Sequence, residues 1–266
     1  MASVSVDLRG HSAVITGSTS GIGAALAEGL AKNGANIMLN GLGDADEIEA
    51  LRARLETDYQ ITCKYHPANM LNPEEIADLV ETTNREFGRL DIVINNAGIQ
   101  QVSPVEDFPI GKWDAIIAIN LSSAFHTTRA AIPIMKAAGR GRIINVASVH
   151  GLVASPFKSA YVAAKHGMIG FTKSIALEVA ELGITVNALN PGYVKTPLVE
   201  NQVADTAKAR GISEEEVVRD VMLAAQPTKK FVEYDQLTGA LLYLVSDDGA
   251  NMNGGSITVD GGWTAK

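Results

Sequence analysis

The chain has 266 residues, 46% of them hydrophobic and 20% charged, a length and composition that fit one large α/β domain and exclude a disordered or fibrous polypeptide. A formal net charge of -8, from 30 acidic against 22 basic side chains, leaves no basic field to gather phosphate backbones and excludes nucleic acid as an expected partner. No apolar run approaches the roughly 18 residues that would span a bilayer, so no membrane partner is expected either.

Short β-type runs alternate with longer helical patterns along the chain. This rhythm predicts an α/β fold, a Rossmann-type doubly wound seven-stranded parallel sheet with helices on both faces. Ahead of the first strand the chain carries Asp7 and Arg9 but no apolar core of a secretory signal, and the expected location is cytoplasmic. The first strand, 12–16, runs into Thr16-Gly17-Ser18-Thr19-Ser20-Gly21-Ile22-Gly23 and a helix at 21–32. Glycines there let the backbone bend sharply and approach a ligand, while helix-terminal N–H groups meet a pyrophosphate. A strand at 36–40 and a helix at 44–57 follow, then a strand at 62–66 and a helix at 73–87. Cys63 is the single cysteine, so no intrachain disulfide forms and a reducing compartment is expected. The five histidines lack the spacing of a metal-binding set, and no metal is expected.

The fourth strand, 91–95, ends in Asn95-Asn96-Ala97-Gly98, and a long helix predicted over 110–138 contains Asn120. The fifth strand, 141–147, delivers Ser148, and the helix at 159–181 carries Tyr161 and Lys165. The sixth strand, 185–189, leads to Pro191-Gly192, Val194 and Thr196. The segment 197–227 breaks the rhythm, with a proline at each end and the acidic run Glu214-Glu215-Glu216, and reads as a small helical lid over a site. A helix at 235–245 and a strand at 256–259 complete the sheet, and residues 1–266 are expected to form a single domain.

Tyr161 and Lys165 lie four residues apart and share a helix face, so an ammonium group can sit near a phenol. A free tyrosine, with a pKa of about 10, is a poor base at neutral pH. A neighbouring cation favours its phenolate, which predicts Tyr161 as a general base with Lys165 lowering its pKa. Ser148 falls at the carboxyl edge of the sheet, where doubly wound folds bind ligands.

The glycine spacing TGxxxGIG, the Asn96-Ala97-Gly98 run, Asn120, Ser148, the Tyr161/Lys165 pair and Pro191-Gly192 with Thr196, in this order, resemble the short-chain dehydrogenase/reductase family. The resemblance covers nearly the whole chain. It implies hydride transfer to a nicotinamide dinucleotide, with Asn120, Ser148, Tyr161 and Lys165 as the catalytic set and Asn120 supporting Lys165 through a water. It also implies that Gly17, Thr19, Ser20, Gly21, Ile22, Gly23, Asn69, Asn96, Ala97, Gly98, Tyr161, Lys165, Pro191, Gly192, Val194 and Thr196 hold the cofactor. Asn69 stands where the family usually has an aspartate near adenine, and an amide can still accept one hydrogen bond there. The cofactor is expected to be NAD. No cation lies in the glycine turn or in Asn40-Gly41-Leu42-Gly43 to meet a 2′-phosphate, although no acid awaits the ribose before Asp44.

Polar residues around the catalytic set point to an acid substrate. Lys158 falls at a helix start, where the macrodipole disfavours a cation and a bound carboxylate would offset the cost. With His150 and one or two of Gln100, Gln101 and Gln202 it could hold a small anionic hydroxy or keto acid against Ser148 and Tyr161, and the family resemblance implies Gln100 and Gln202. The settings of His150 and Lys158 resemble the family members that interconvert (R)-3-hydroxybutyrate and acetoacetate, which implies that reaction and a homotetramer. In two places the chain departs from that pattern, with Tyr193 where a tryptophan is expected and Lys195 where an apolar residue is expected. The alternatives are a reductase of 3-oxoacyl thioesters, another short-chain hydroxy-acid dehydrogenase and a noncatalytic NAD-binding regulator.

Overall fold

The computed structural model describes residues 6–196, 199, 203, 207 and 211–265. Its centre is a seven-stranded parallel sheet of β1 (Ser12–Ile15), β2 (Asn36–Asn40), β3 (Cys63–His66), β4 (Ile92–Asn95), β5 (Gly141–Val146), β6 (Ile184–Pro191) and β7 (Ser256–Val259), in the order β3-β2-β1-β4-β5-β6-β7. The helices between strands are α1 (Gly21–Lys32), α2 (Ala45–Tyr59), α3 (Pro73–Phe87), α4 (Ile110–Ile117), α5 (Ser123–Ala138) and α6 (Ser159–Val179); α7 (Glu214–Glu216) and α8 (Tyr234–Val245) precede β7.

Strand periodicity of two sorts the core onto both faces of the sheet. Ala13, Ile15, Ile92, Ile94 and Ile144 pack with Leu26, Leu30, Leu237 and Leu241 of α1 and α8. Val14, Val93, Ile143 and Val186 pack with Ile76, Leu79, Val80 and Met135 of α3 and α5. Because both faces are covered, the central strands read as unbroken apolar runs rather than alternating ones.

A buried polar chain docks two helices on this frame. Asn95 donates to Asn145 at 2.8 Å, Asn145 donates to Thr172 of α6 at 2.8 Å, and Thr127 of α5 donates to Asn95 at 2.5 Å. Each amide is enclosed, so satisfying it fixes the registers of α5 and α6 against β4 and β5.

The element order matches the sequence expectation, and three departures bear on the site. The predicted helix over 110–138 is interrupted by a π-helical turn at Ala118–Ser122, which contains Asn120. Such turns insert an extra residue, change which side chain faces inward and recur at functional sites; an apolar period cannot reveal one. The sixth strand runs on to Pro191, paired with β7 through Val259. Within 197–227 the described residues form α7, capped by Ser213 in a reciprocal bond with Glu216, and a π-helical turn at Val217–Met222. Val203, Val217 and Met222 form a small apolar cluster of their own, against which Tyr193 packs. Among the described residues, no helix is long and apolar enough to cross a membrane.

Candidate active site

The strand order reverses between β1 and β4, which opens a crevice at the carboxyl edge of the sheet. A cleft of about 440 Å³ lies there, lined by the turns after β1, β2, β4, β5 and β6, by α6 and by Trp263. All sixteen residues expected to hold the cofactor line it.

The glycine turn is built so that side chains cannot intrude. A Cβ on Gly17 would stand 2.8 Å from the Ala97 Cα, and one on Gly23 would fall on the Gly17 carbonyl oxygen. Asn96, expected beside the adenosine, takes a supporting place. Its amide donates to the carbonyls of Thr16 and Gly17 at 3.0 and 2.9 Å, locking the turn against β4. Asn40 does the same from β2, accepting from Gly17 N–H at 3.3 Å and donating to the carbonyls of His66 and Ala68. The next position, Gly41, has φ 156°, and a Cβ there would stand 2.5 Å from the Thr19 hydroxyl. Hence no side chain of either charge projects from the end of β2. Asn69 lines the cleft, but its side-chain oxygen already accepts from Leu71 N–H at 3.0 Å; the acceptor expected for adenine is engaged in this turn, which leaves the amide NH₂ as the free group.

Lys158 and Lys165 are the only lysines or arginines lining the cleft among the described residues, and no carboxylate lines it. Lys165 is buried on α6 and donates to the Val146 carbonyl at 2.7 Å, with its Nζ 5.6 Å from the Tyr161 ring centroid. The phenol is pushed up to about 12 by burial, against which the Ser148 hydroxyl bond acts; desolvation brings Lys165 down to about 8. Lys165 and the charge of an oxidised nicotinamide are together expected to lower the phenol; in the cleft itself desolvation is the largest influence, and the group opposing burial is Ser148.

Ser148 caps a short 3₁₀ turn, Val149–Gly151, accepting from His150 N–H at 3.1 Å, and this turn carries His150 into the cleft. Asn120 does not line the cleft. Both halves of its amide bond the backbone of Ile99, each at 2.9 Å, so its side chain braces the loop after β4.

At the far end of the cleft the expected substrate residues meet three aromatic rings. Lys158, 8% exposed, donates to the Tyr193 hydroxyl at 3.4 Å and has no carboxylate partner among the described residues; burial brings it down to about 8. The His150 ring meets Tyr161 edge-on at 6.1 Å and Trp263 at 5.3 Å, and burial brings it down to about 4, so it is neutral at physiological pH. Gln100 lines the cleft with its amide nitrogen buried and without a partner. Gln202 lies outside the described residues.

Tyr193, which departs from the expected tryptophan, and Trp263 stack at 5.2 Å and wall the cleft. Their signal was topological: each follows a strand, β6 or β7, and these strands are neighbours. Asp260 holds the second of them, accepting from Gly262 N–H, Thr264 N–H and the Thr264 hydroxyl.

Comparison with known proteins agrees with this geometry. The short chain dehydrogenase family pattern matches residues 11–207. The D-beta-hydroxybutyrate dehydrogenase of Rhizobium meliloti is 59% identical over 254 residues, spanning 96% of this chain and 98% of that protein. The protein of the same name from Cupriavidus necator is 52% identical over 259 residues, spanning 97% of this chain and all of the relative. Among solved structures, levodione reductase superimposes with a TM-score of 0.89 at 31% identity, over 97% of this chain and 99% of that one. The glycine turn, the sheet order and these full-length likenesses together show that this chain belongs to the short-chain dehydrogenase/reductase family.

Proposed function

We propose that the protein oxidises (R)-3-hydroxybutyrate to acetoacetate with NAD, reversibly, as an enzyme of ketone-body metabolism. The observation that carries the substrate is Lys158, a buried lysine facing no carboxylate among the described residues, in the same cleft as Ser148 and Tyr161. An ammonium placed there at the expense of its hydration is offset by an acid ligand, and an uncharged alcohol gives no such return. The 3-oxoacyl thioester reading fits less well, because it calls for NADP and a basic surface, and this chain has a net charge of -8.

The cleft fits a dinucleotide. Its glycine turn is cleared of side chains at Gly17 and Gly23, and among the described residues no lysine or arginine lines the end where a 2′-phosphate would lie. NAD is therefore the cofactor proposed. When bound it supplies the hydride acceptor and the positive charge of an oxidised nicotinamide ring. Gly17 to Gly23 would hold its pyrophosphate, and Pro191, Gly192, Val194 and Thr196 would border the nicotinamide.

The residues then divide the work. Lys158, Gln100 and neutral His150 hold the carboxylate and set which carbon faces the cofactor. Ser148 donates to the substrate oxygen as it gains or loses charge. Tyr161 takes the hydroxyl proton during oxidation and returns it during reduction. Lys165, anchored on Val146, fixes the phenol side of the cleft and reaches the ribose. We take residues 1–266 as one catalytic domain with 197–227 as its lid, and the buried thiol of Cys63 suits a reducing, cytoplasmic setting. Exposed Ile110, Phe125 and Leu177 on α4, α5 and α6, and the half-open edge of β7, favour a homotetramer.

The test is an NADH absorbance assay with both enantiomers of 3-hydroxybutyrate and both dinucleotides. The R acid with NAD is expected to exceed every other pairing by about 100-fold in kcat/KM. A preference for NADP, or for an uncharged secondary alcohol, contradicts the assignment.

A further inference from the structure

We infer that the Tyr193 hydroxyl is a substrate-positioning group, accepting a proton contact from Lys158 while donating its own proton to the carboxylate that Lys158 binds. The inference rests on the reading above that Lys158 grips an acid, and it concerns a residue at which the chain departs from the expected tryptophan.

Tyr193 is held from three sides. Its ring stacks on Trp263 at 5.2 Å with 26° between planes, and its backbone N–H donates to the fully buried Gln226, whose amide is tied to the Lys230 carbonyl. Lys158 Nζ stands 3.4 Å from the hydroxyl oxygen and 5.6 Å from the ring centroid. A ring fixed in this way places its oxygen by construction, not by chance contact.

Lys158, Tyr193 and Gln100 each present a donor at this end of the cleft, and no carboxylate lines it among the described residues. The lysine contact uses the hydroxyl oxygen as acceptor, and among the described residues nothing accepts the hydroxyl proton. Burial raises the phenol's pKa, so the proton stays on. Gln100 adds a buried amide nitrogen without a partner. The groups around Lys158 from other elements are His150 after β5, Tyr161 on α6 and Tyr193 after β6; none supplies a negative charge. A phenol already accepting from an ammonium is a stronger donor than an isolated one. A carboxylate entering this end meets Lys158 and Tyr193 as a pair of donors, whereas phenylalanine would keep the wall and lose the donor.

The experiment is steady-state kinetics on Tyr193→Phe and Lys158→Ala beside the unmodified enzyme, with NADH binding followed by fluorescence. Tyr193→Phe is expected to raise KM for (R)-3-hydroxybutyrate about ten-fold, with NADH affinity kept. The pH above which KM climbs, set by Lys158 at about 8, is expected to move down by about half a unit as the lysine loses its partner. A KM within about two-fold of the unmodified enzyme, a pH break that stays in place, or NADH affinity falling in step with KM overturns the role. If Lys158→Ala raises KM and Tyr193→Phe does not, only the tyrosine assignment fails. If Lys158→Ala leaves KM unchanged, the acid-gripping reading fails and takes this one with it.

Discussion

Replacing Tyr161 by phenylalanine is expected to lower kcat by about a thousand-fold or more in both directions, with NADH still bound at its original affinity. The substitution removes one oxygen, and the ring keeps its edge-on contact with His150. What is lost is the only group in the cleft proposed to accept the alcohol proton. The measurements are stopped-flow turnover and NADH fluorescence titration of the variant. The pH dependence has a definite sign. Burial holds the phenol near about 12 in the cleft, so oxidation, which needs the ionised form, should rise with pH, and reduction, which needs the protonated form, should fall. The Ser148 bond and the positive ring of oxidised nicotinamide both act to bring the phenol down toward the working range. Substantial turnover in the phenylalanine variant would remove Tyr161 from the mechanism.

Lys158→Ala is expected to raise KM for the acid by about 100-fold, equivalent to about 2.7 kcal/mol, while kcat and NADH affinity change far less. The penalty is large because the ammonium is buried in the cleft with no competing carboxylate among the described residues, so the substrate is its natural counter-ion. In the unmodified enzyme Lys158 is charged below about 8, and KM should be flat there and climb above it as the cation is lost. Where bound oxidised nicotinamide brings the phenol below Lys158, oxidation at low substrate should then follow a bell, with an ascending limb from the phenol and a descending limb from Lys158. In Lys158→Ala the descending limb disappears. A full-strength limb in that variant would assign the titration to another group.

The seven-stranded parallel sheet and the residues that line the cleft were legible because the signals are local and sequential. Apolar runs such as Ala13–Ile15 and Ile92–Ile94 announce strands buried on both faces, and glycines mark where a backbone must approach a ligand. What stayed hidden depends on partners distant in the chain. Asn120 gives no sign in the sequence that its amide will be taken up by Ile99, twenty-one residues away, or that a π-helical turn will hold it there. Asn40 read only as an absent charge, yet it ties β1 to the end of β3. Sequence spacing shows that Lys165 is near Tyr161 but not how deeply both groups are enclosed, which raises the phenol and lowers the lysine. Tyr193 and Trp263 are seventy residues apart, and only the pairing of β6 with β7 brings their rings together.

The most direct test of the account is a crystal structure of the protein with NAD and acetoacetate bound together. The account predicts the keto oxygen within about 3.2 Å of both the Tyr161 and Ser148 hydroxyls, with the carboxylate on Lys158. A keto oxygen remote from Tyr161, or a carboxylate at the opposite end of the cleft, would contradict it.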